Sequence, residues 1–350
     1  MRTCLPLLAL LLACGGAVMP LDADDAAADA GTVVTDAGSS PTPEADVATE
    51  AAPPQPPPNT LLVEPLATPW DLVLDATYMY WVGDDGILAR CPKTGCGARE
   101  ILYDSMTPSS GALAIDATNL YWSNFLAGTV SSCAIANCAA TVTTLATEQT
   151  SVSGLAVSPT DVYWTRIEGS IHSCAIGGCD LAPTLVGWGM FEARGISVSS
   201  ADVIWAVEYS GAAHLEACPL AGCTDTSDYL GTIDLTGALQ EAPDFTATDA
   251  TNVYWAASQY GCGIFSCPLS GCGSSGPVQL GVLPLYDGKI VLDDANVYAA
   301  AWTEVVRCAK TGCSGGPTLM GVGSEVRAVA VDDAYLYWTA STGIYRTALF

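Results

Sequence analysis

The sequence predicts an all-β fold: a seven-bladed β-propeller behind an N-terminal tether. Three observations carry that expectation. An apolar strand, a turn Asp or Ser, and a Tyr-Trp pair or close variant recur at Tyr80-Trp81, Tyr121-Trp122, Tyr163-Trp164, Ile204-Trp205, Tyr254-Trp255, Tyr298-Ala299 and Tyr337-Trp338. The spacings are 41, 42, 41, 50, 44 and 39 residues, and self-similarity on that scale, with four short strands per unit, marks a propeller. Six Cys-x4-Cys pairs keep step with the repeat. Half the residues are apolar and 14% are charged, so residues 59–350 hold ample material for one large core.

The N-terminus is read first. Arg2 and the apolar run at residues 5–12 form a secretory signal over residues 1–13, too short to span the ~30 Å of a bilayer's hydrocarbon. Leu11-Leu12-Ala13-Cys14 resembles the bacterial lipobox. That resemblance implies that Cys14 carries a diacyl anchor and that Gly15 directs it to the outer membrane. The expected location is therefore the cell envelope, exported and lipid-anchored. Residues 14–58 are rich in Ala, Asp, Thr and Pro and end in Pro53-Pro54-Gln55-Pro56-Pro57-Pro58. With almost no large apolar side chains, this stretch is expected to be a disordered acidic spacer with polyproline character.

Residues 111–147 show how one blade reads. Small apolar residues 111–115 form the innermost strand, 116–119 a turn, 120–122 the second strand, 128–133 the third and 141–145 the fourth. The turn position before each aromatic pair is Asp75, Asp116, Ser158, Ser199, Asp249, Asp293 and Asp332, residues that cap a tight turn by accepting a backbone N–H two residues on. Three residues later stand Tyr78, Asn119, Asp161, Asp202, Asn252, Asn296 and Tyr335, where the Asn and Asp residues are expected to take a left-handed conformation. Successive strand residues face opposite sides, so the two aromatics of a pair should pack on different neighbouring blades. The pattern resembles the YWTD repeat of low-density-lipoprotein-receptor propellers, most closely at Tyr163-Trp164-Thr165 and Tyr337-Trp338-Thr339. The Asp of that motif is absent here, and those receptors have six blades.

Fifteen cysteines divide readily. Cys4 leaves with the signal and Cys14 is the lipid site. The pairs Cys91/Cys96, Cys133/Cys138, Cys174/Cys179, Cys218/Cys223, Cys267/Cys272 and Cys308/Cys313 sit between third and fourth strands. An exported chain should oxidise them, and x4 spacing with one pair per blade does not suit zinc. Cys262 is left over and competes for Cys267.

The balance of 37 acidic to 11 basic residues gives a net charge of −26. That excludes nucleic acid and anionic membrane surface as partners and suits a cationic ligand, divalent ions or plain solubility. Loops entering the first strands share one face of a propeller with loops leaving the second. The candidate ligand rim on that face is Asp71, Arg194, Glu241, Asp244, Asp287, Lys289, Glu325 and Arg327. Calcium at this acidic rim is a weak possibility, since no EF-hand spacing supports it. The histidines, His172 and His214, read as strand side chains, and no nucleophile elbow, P-loop or dinucleotide fingerprint occurs. The expected role is a monomeric, non-catalytic binding or scaffold module for a protein, peptide or glycan. The alternative is a lyase or hydrolase at the channel mouth. The last repeat ends in a third strand without a clasp, so residues 59–63 are expected to supply its fourth strand and close the ring.

Overall fold

The computed structural model describes residues 59–63, 67–107, 111–188, 192–209, 212–221, 245–257, 263–282 and 288–349. The signal, Cys14, the tether, Cys223, Glu241, Asp244, Cys262 and Asp287 lie outside the described residues.

Seven antiparallel sheets follow one another along the chain. Blade 2 is typical, with strands Leu113–Ile115, Asn119–Asn124, Thr129–Ala134 and Thr143–Ala146 paired in sequence order. Blade 4 shows three strands among the described residues, Ala193–Val198, Asp202–Tyr209 and Ala212–Pro219. Blade 7 takes Val329–Val331, Tyr335–Ala340 and Gly343–Ala348 from the end of the chain and Thr60–Val63 from its beginning. Thr60 faces Arg346 and Val63 faces Ile344, so the ring closes as the sequence predicts.

The core lies between blades, in seven clusters. In each, the Tyr position of one blade meets the Trp position of the next: Tyr337 with Trp81, Tyr80 with Trp122, Tyr121 with Trp164, and Tyr163 with Trp205. The ring continues through Ile204 with Trp255, Tyr254 with Ala299, and Tyr298 with Trp338. The opposite-facing reading of the pair holds at every joint. Room for the tryptophan comes from a fourth-strand glycine. A Cβ on Gly321 would lie 2.6 Å from the Trp338 ring, closer than any packed core tolerates.

The Asp turns do more than cap. Asp116 Oδ1 accepts the N–H groups of Thr118 and Asn119, each at 2.7 Å. Its Oδ2 accepts the Tyr121 hydroxyl at 2.8 Å. The same Tyr-to-Asp bond joins Tyr80 to Asp75, Tyr254 to Asp249, Tyr298 to Asp293 and Tyr337 to Asp332, at 2.6 to 3.2 Å. Ser158 and Ser199 cap their turns with a hydroxyl instead. One expectation is corrected. None of Asn119, Asp161, Asp202, Asn252 or Asn296 is among the left-handed residues. The turns close without it because the carboxylate or hydroxyl holds two successive N–H groups. Asn119 and Asn252 turn their amides to the neighbouring threonine hydroxyl instead.

Five clasps are closed among the described residues: Cys91–Cys96, Cys133–Cys138, Cys174–Cys179, Cys267–Cys272 and Cys308–Cys313, with Cα separations of 4.8 to 5.5 Å. Cys218 is also disulfide-bonded. Cys267 therefore pairs with Cys272 and not with Cys262. The second residue after each first clasp cysteine donates its N–H back to the blade's own Asp or Ser turn, as Lys93 does to Thr77 and Lys310 to Ala295. Its side chain crosses to the preceding blade. Ile135, Ile176, Leu220 and Leu269 fill this position with apolar contact. Lys93 and Lys310 fill it with an ion pair, to Asp332 at 2.8 Å and to Asp249 at 3.0 Å.

Candidate functional site at the channel mouth

Antiparallel order places the Asp turns and the cysteine clasps on one face and the channel mouth on the other. At the mouth the innermost strand of blade 1, Pro69–Leu74, carries Trp70 and Asp71. Asp71 lies inside that strand rather than on a solvated rim, and it is 8% exposed. Its Oδ1 accepts the Leu72 N–H at 2.7 Å and the Lys289 ammonium at 2.6 Å. Its Oδ2 accepts the Leu113 N–H of blade 2 at 2.8 Å. Lys289 arrives from blade 6, so the pair reaches past the inner edge of blade 7 and ties three blades together. Lys289 also donates to the Leu72 carbonyl at 3.1 Å.

The other described rim residues pair locally. Arg194 contacts Glu192 at 2.6 Å, and Arg327 contacts Glu325 at 3.0 Å. The Arg327 guanidinium lies 3.8 Å from the Trp70 ring centre and 5.5 Å from that of Trp302, a stacked cation held by two aromatic faces. Glu325 adopts φ 53°, a conformation uncommon for a residue with a Cβ. The structure thus brings Asp71 to Lys289 and Glu325 to Arg327; Glu241, Asp244 and Asp287 of the expected rim lie outside the described residues.

Next to Asp71 lies a cavity of about 180 Å³ walled by Trp70, Phe125, Val152, Ile167 and Phe245. Its walls are mainly apolar, and the one carboxylate at its edge is already saturated by donors. Sequence reasoning missed these residues although Phe125 and Ile167 share a repeat position, four residues after the blade's Tyr, which Trp302 also takes; Trp70 and Phe245 have no aromatic counterpart in other blades.

Chemistry elsewhere is sparse. His172 lies in the third strand of blade 3, its ring 6.0 Å from Trp164 and its Nε2 3.1 Å from the Ser170 hydroxyl. Burial, helped by the Arg166 charge, pushes its pKa down to about 4, so the imidazole is neutral at physiological pH. His214 sits in the third strand of blade 4. Among the described residues no group of three or more His, Cys, Asp or Glu side chains could hold a metal ion. Eight Lys or Arg side chains are held by carboxylates. Two more donate to carbonyls, Arg307 to Leu349 and Arg346 to Lys93. Most cations of the domain are thus paired with carboxylates, and the uncompensated charge is acidic.

No protein-family model matches the chain, and no curated protein matches it. Solved structures do. Virginiamycin B lyase from Staphylococcus aureus aligns with a TM-score of 0.65 at 8% identity, covering 84% of this chain and 99% of that one. The WD40 propeller domain of Doa1 gives 0.63 at 12% identity, covering 83% and 96%. The computationally designed protein Ika8 gives 0.55 at 12% identity, covering 83% and 98%. An enzyme, a WD40 domain and a designed protein share this architecture, so the likeness shows the fold alone.

Proposed function

We propose that the chain is an exported envelope lipoprotein, anchored at Cys14, whose propeller binds a protein or peptide partner at the channel mouth without catalysis. One observation carries the reading. The most buried carboxylate described at the mouth, Asp71, is spent on structure with Lys289, and the surface beside it is an apolar pocket framed by aromatics. Apolar anchors in a concave pocket are what recognition of a side chain uses. With most of its cations paired internally, the domain favours a partner of net positive charge. The tether supports this use. Thr60 lies opposite Arg346, near the end of the last third strand, so the folded domain begins on the clasp face, opposite the mouth. The YWTD-like repeat supplies the blade pattern of this module, and the domain acts as a monomer.

The test is a pull-down from envelope extract with the domain from Asn59 onward, set against a Phe125→Asp/Ile167→Asp variant of equal melting temperature. A partner retained equally by both would sink the mouth as the binding face. A glycan is the other outcome, read by retention on a glycan array. The second reading is a lyase or hydrolase, favoured by the meeting of Asp71 with Lys289. It requires turnover that disappears in Lys289→Met while the fold survives.

A further inference from the structure

Blade 7 is the blade closed by both ends of the chain, and it therefore has no clasp loop. Beside it, between blades 7 and 1 on the clasp face, lies an open cleft of about 530 Å³. Its walls include Tyr335, Tyr337 and Arg346 from blade 7 and Lys93 and Thr94 from blade 1. Tyr335 and Tyr337 meet edge-on with centres 6.2 Å apart, and the Arg346 guanidinium stacks 4.5 Å over Tyr335. Arg346 is paired with no carboxylate among the described residues. Its Nη1 donates to the Lys93 carbonyl and its guanidinium also meets the Tyr337 hydroxyl, which leaves part of its five N–H donors for another acceptor.

We propose that this cleft seats the proline-rich end of the protein's own tether, residues 53–58. Position is the first argument. Thr60 is the cross-strand partner of Arg346, so the chain preceding it must emerge at the cleft. Chemistry is the second. Residues 53–58 read Pro-Pro-Gln-Pro-Pro-Pro, and proline brings a carbonyl acceptor but no N–H donor. Beside the carboxylates of Asp75, Asp332 and Asp333, the cleft offers donors on Arg346 and Thr94 and the partly exposed Tyr335 ring as a wall for the prolines. Aromatic grooves capture proline-rich segments because the polyproline II form is already extended and loses little entropy on docking. Reach is the third. At about 3.1 Å per residue six residues span about 19 Å, and covalent attachment keeps their local concentration in the millimolar range. Seated there, the segment takes the place of the missing clasp and bears on the closing strand before tension on the tether does.

The experiment uses the full chain with the photo-crosslinking residue p-benzoylphenylalanine in place of Gln55, which leaves the prolines intact. Irradiation and peptide mapping should place the crosslinks within residues 75–94 and 332–346. Tyr335→Ser should lower the yield at those peptides about threefold by weakening one wall of the seat. A second variant replaces the five prolines with serine, keeping the photo-residue and leaving the folded surface untouched, and should scatter the crosslinks. Crosslinks spread over the domain in the parent chain, or a yield indifferent to both changes, would overturn the proposal.

Discussion

Lys310 and Asp249 make a joint whose two halves should respond unequally to removal. The pair closes at 3.0 Å, with side-chain exposures of 14% for Lys310 and 26% for Asp249. At an effective dielectric of about 20, that separation is worth roughly 5 kcal/mol before desolvation. Removing both ions from water returns most of it. Lys310→Leu places at this joint the residue that blades 4 and 5 already carry, Leu220 and Leu269. It leaves the Asp249 carboxylate with the Thr251 and Asn252 N–H groups and the Tyr254 hydroxyl, each at 2.9 Å. The expected cost is about 1 kcal/mol or less. Asp249→Ala instead frees two turn N–H groups and one half-buried hydroxyl, and strands an ammonium that is mostly out of water. Those losses sum to about 3–4 kcal/mol. The double variant should be about 1 kcal/mol more stable than Asp249→Ala alone, because the orphaned charge is gone. Urea unfolding at neutral pH with disulfides intact measures all three through the midpoint. Equal costs for the two single variants, or a double variant no better than Asp249→Ala, would refute the asymmetry.

Ile176→Lys should form a new pair with Asp116, whose Asp-Ala-Thr-Asn turn repeats that of Asp249, and so leave the melting temperature unchanged or raised. Leu269→Lys faces Ser199 and Ile204 instead and should lower it by several degrees, so equal behaviour would break the joint model. In the domain from Asn59 onward, maleimide should label one thiol per molecule, that of Cys262, and labelling of clasp cysteines would contradict the pairing. Partial burial alone would raise the turn carboxyls, but turn N–H groups, tyrosine hydroxyls and, at Asp75, Asp249 and Asp332, a lysine outweigh it. Asp75, Asp116, Asp249, Asp293 and Asp332 all sit below their ordinary 3.8. A carboxyl lowered on folding gives stability that is present above its unfolded value and lost as pH falls through the folded one. Thermal melts should therefore drop below about pH 4, and an Asp116→Ser variant should drop less. Burial, then the Asp bond, pushes the Tyr254 hydroxyl up to about 12. Its contribution is complete below pH 10 and lost as pH rises through 12, which tyrosinate absorbance follows.

What was legible in the sequence is what repeats locally. The Asp turn, the Tyr-Trp pair and the clasp each span a few residues and recur in almost every blade, so the fold and the closing strand have local signatures, whereas Cys262 and Cys272 both stand at x4 from Cys267 and only the structure chooses Cys272. The Tyr-to-Asp bond also had one. Asp stands five residues before Tyr in five blades, while Ser199 precedes Ile204, which has no hydroxyl to give. Lys93 and Lys310 stand in the repeated Cys-x-Lys-Thr-Gly-Cys, yet their carboxylates lie on the preceding blade, beyond any local window. Asp71 and Lys289 are 218 residues apart, and nothing in either neighbourhood foretells that they meet. Only ring closure sets that distance, so an acid and a base that read as rim charges became a structural tie.

The two faces of the ring divide the labour. On the clasp face each blade repeats the same Asp or Ser cap, and Tyr hydroxyls, disulfides and joint side chains lock neighbours together with little variation. On the mouth face the residues differ from blade to blade: the position four residues after the blade's Tyr position is Phe125, Ile167 and Trp302 in three blades but Asp84, Glu208 and Ser341 in others, and Trp70 and Phe245 have no aromatic counterpart. A site for one asymmetric partner needs unlike groups around an axis of near-symmetry, and the mouth is where the chain departs from its own repeat. Apart from the Asp71–Lys289 tie, the mouth loops can vary at small cost in stability, because the repeated caps, disulfides and joint side chains lie on the other face. Random loop substitutions at the mouth should thus alter binding long before they alter melting, whereas substitutions at Asp turns should do the reverse.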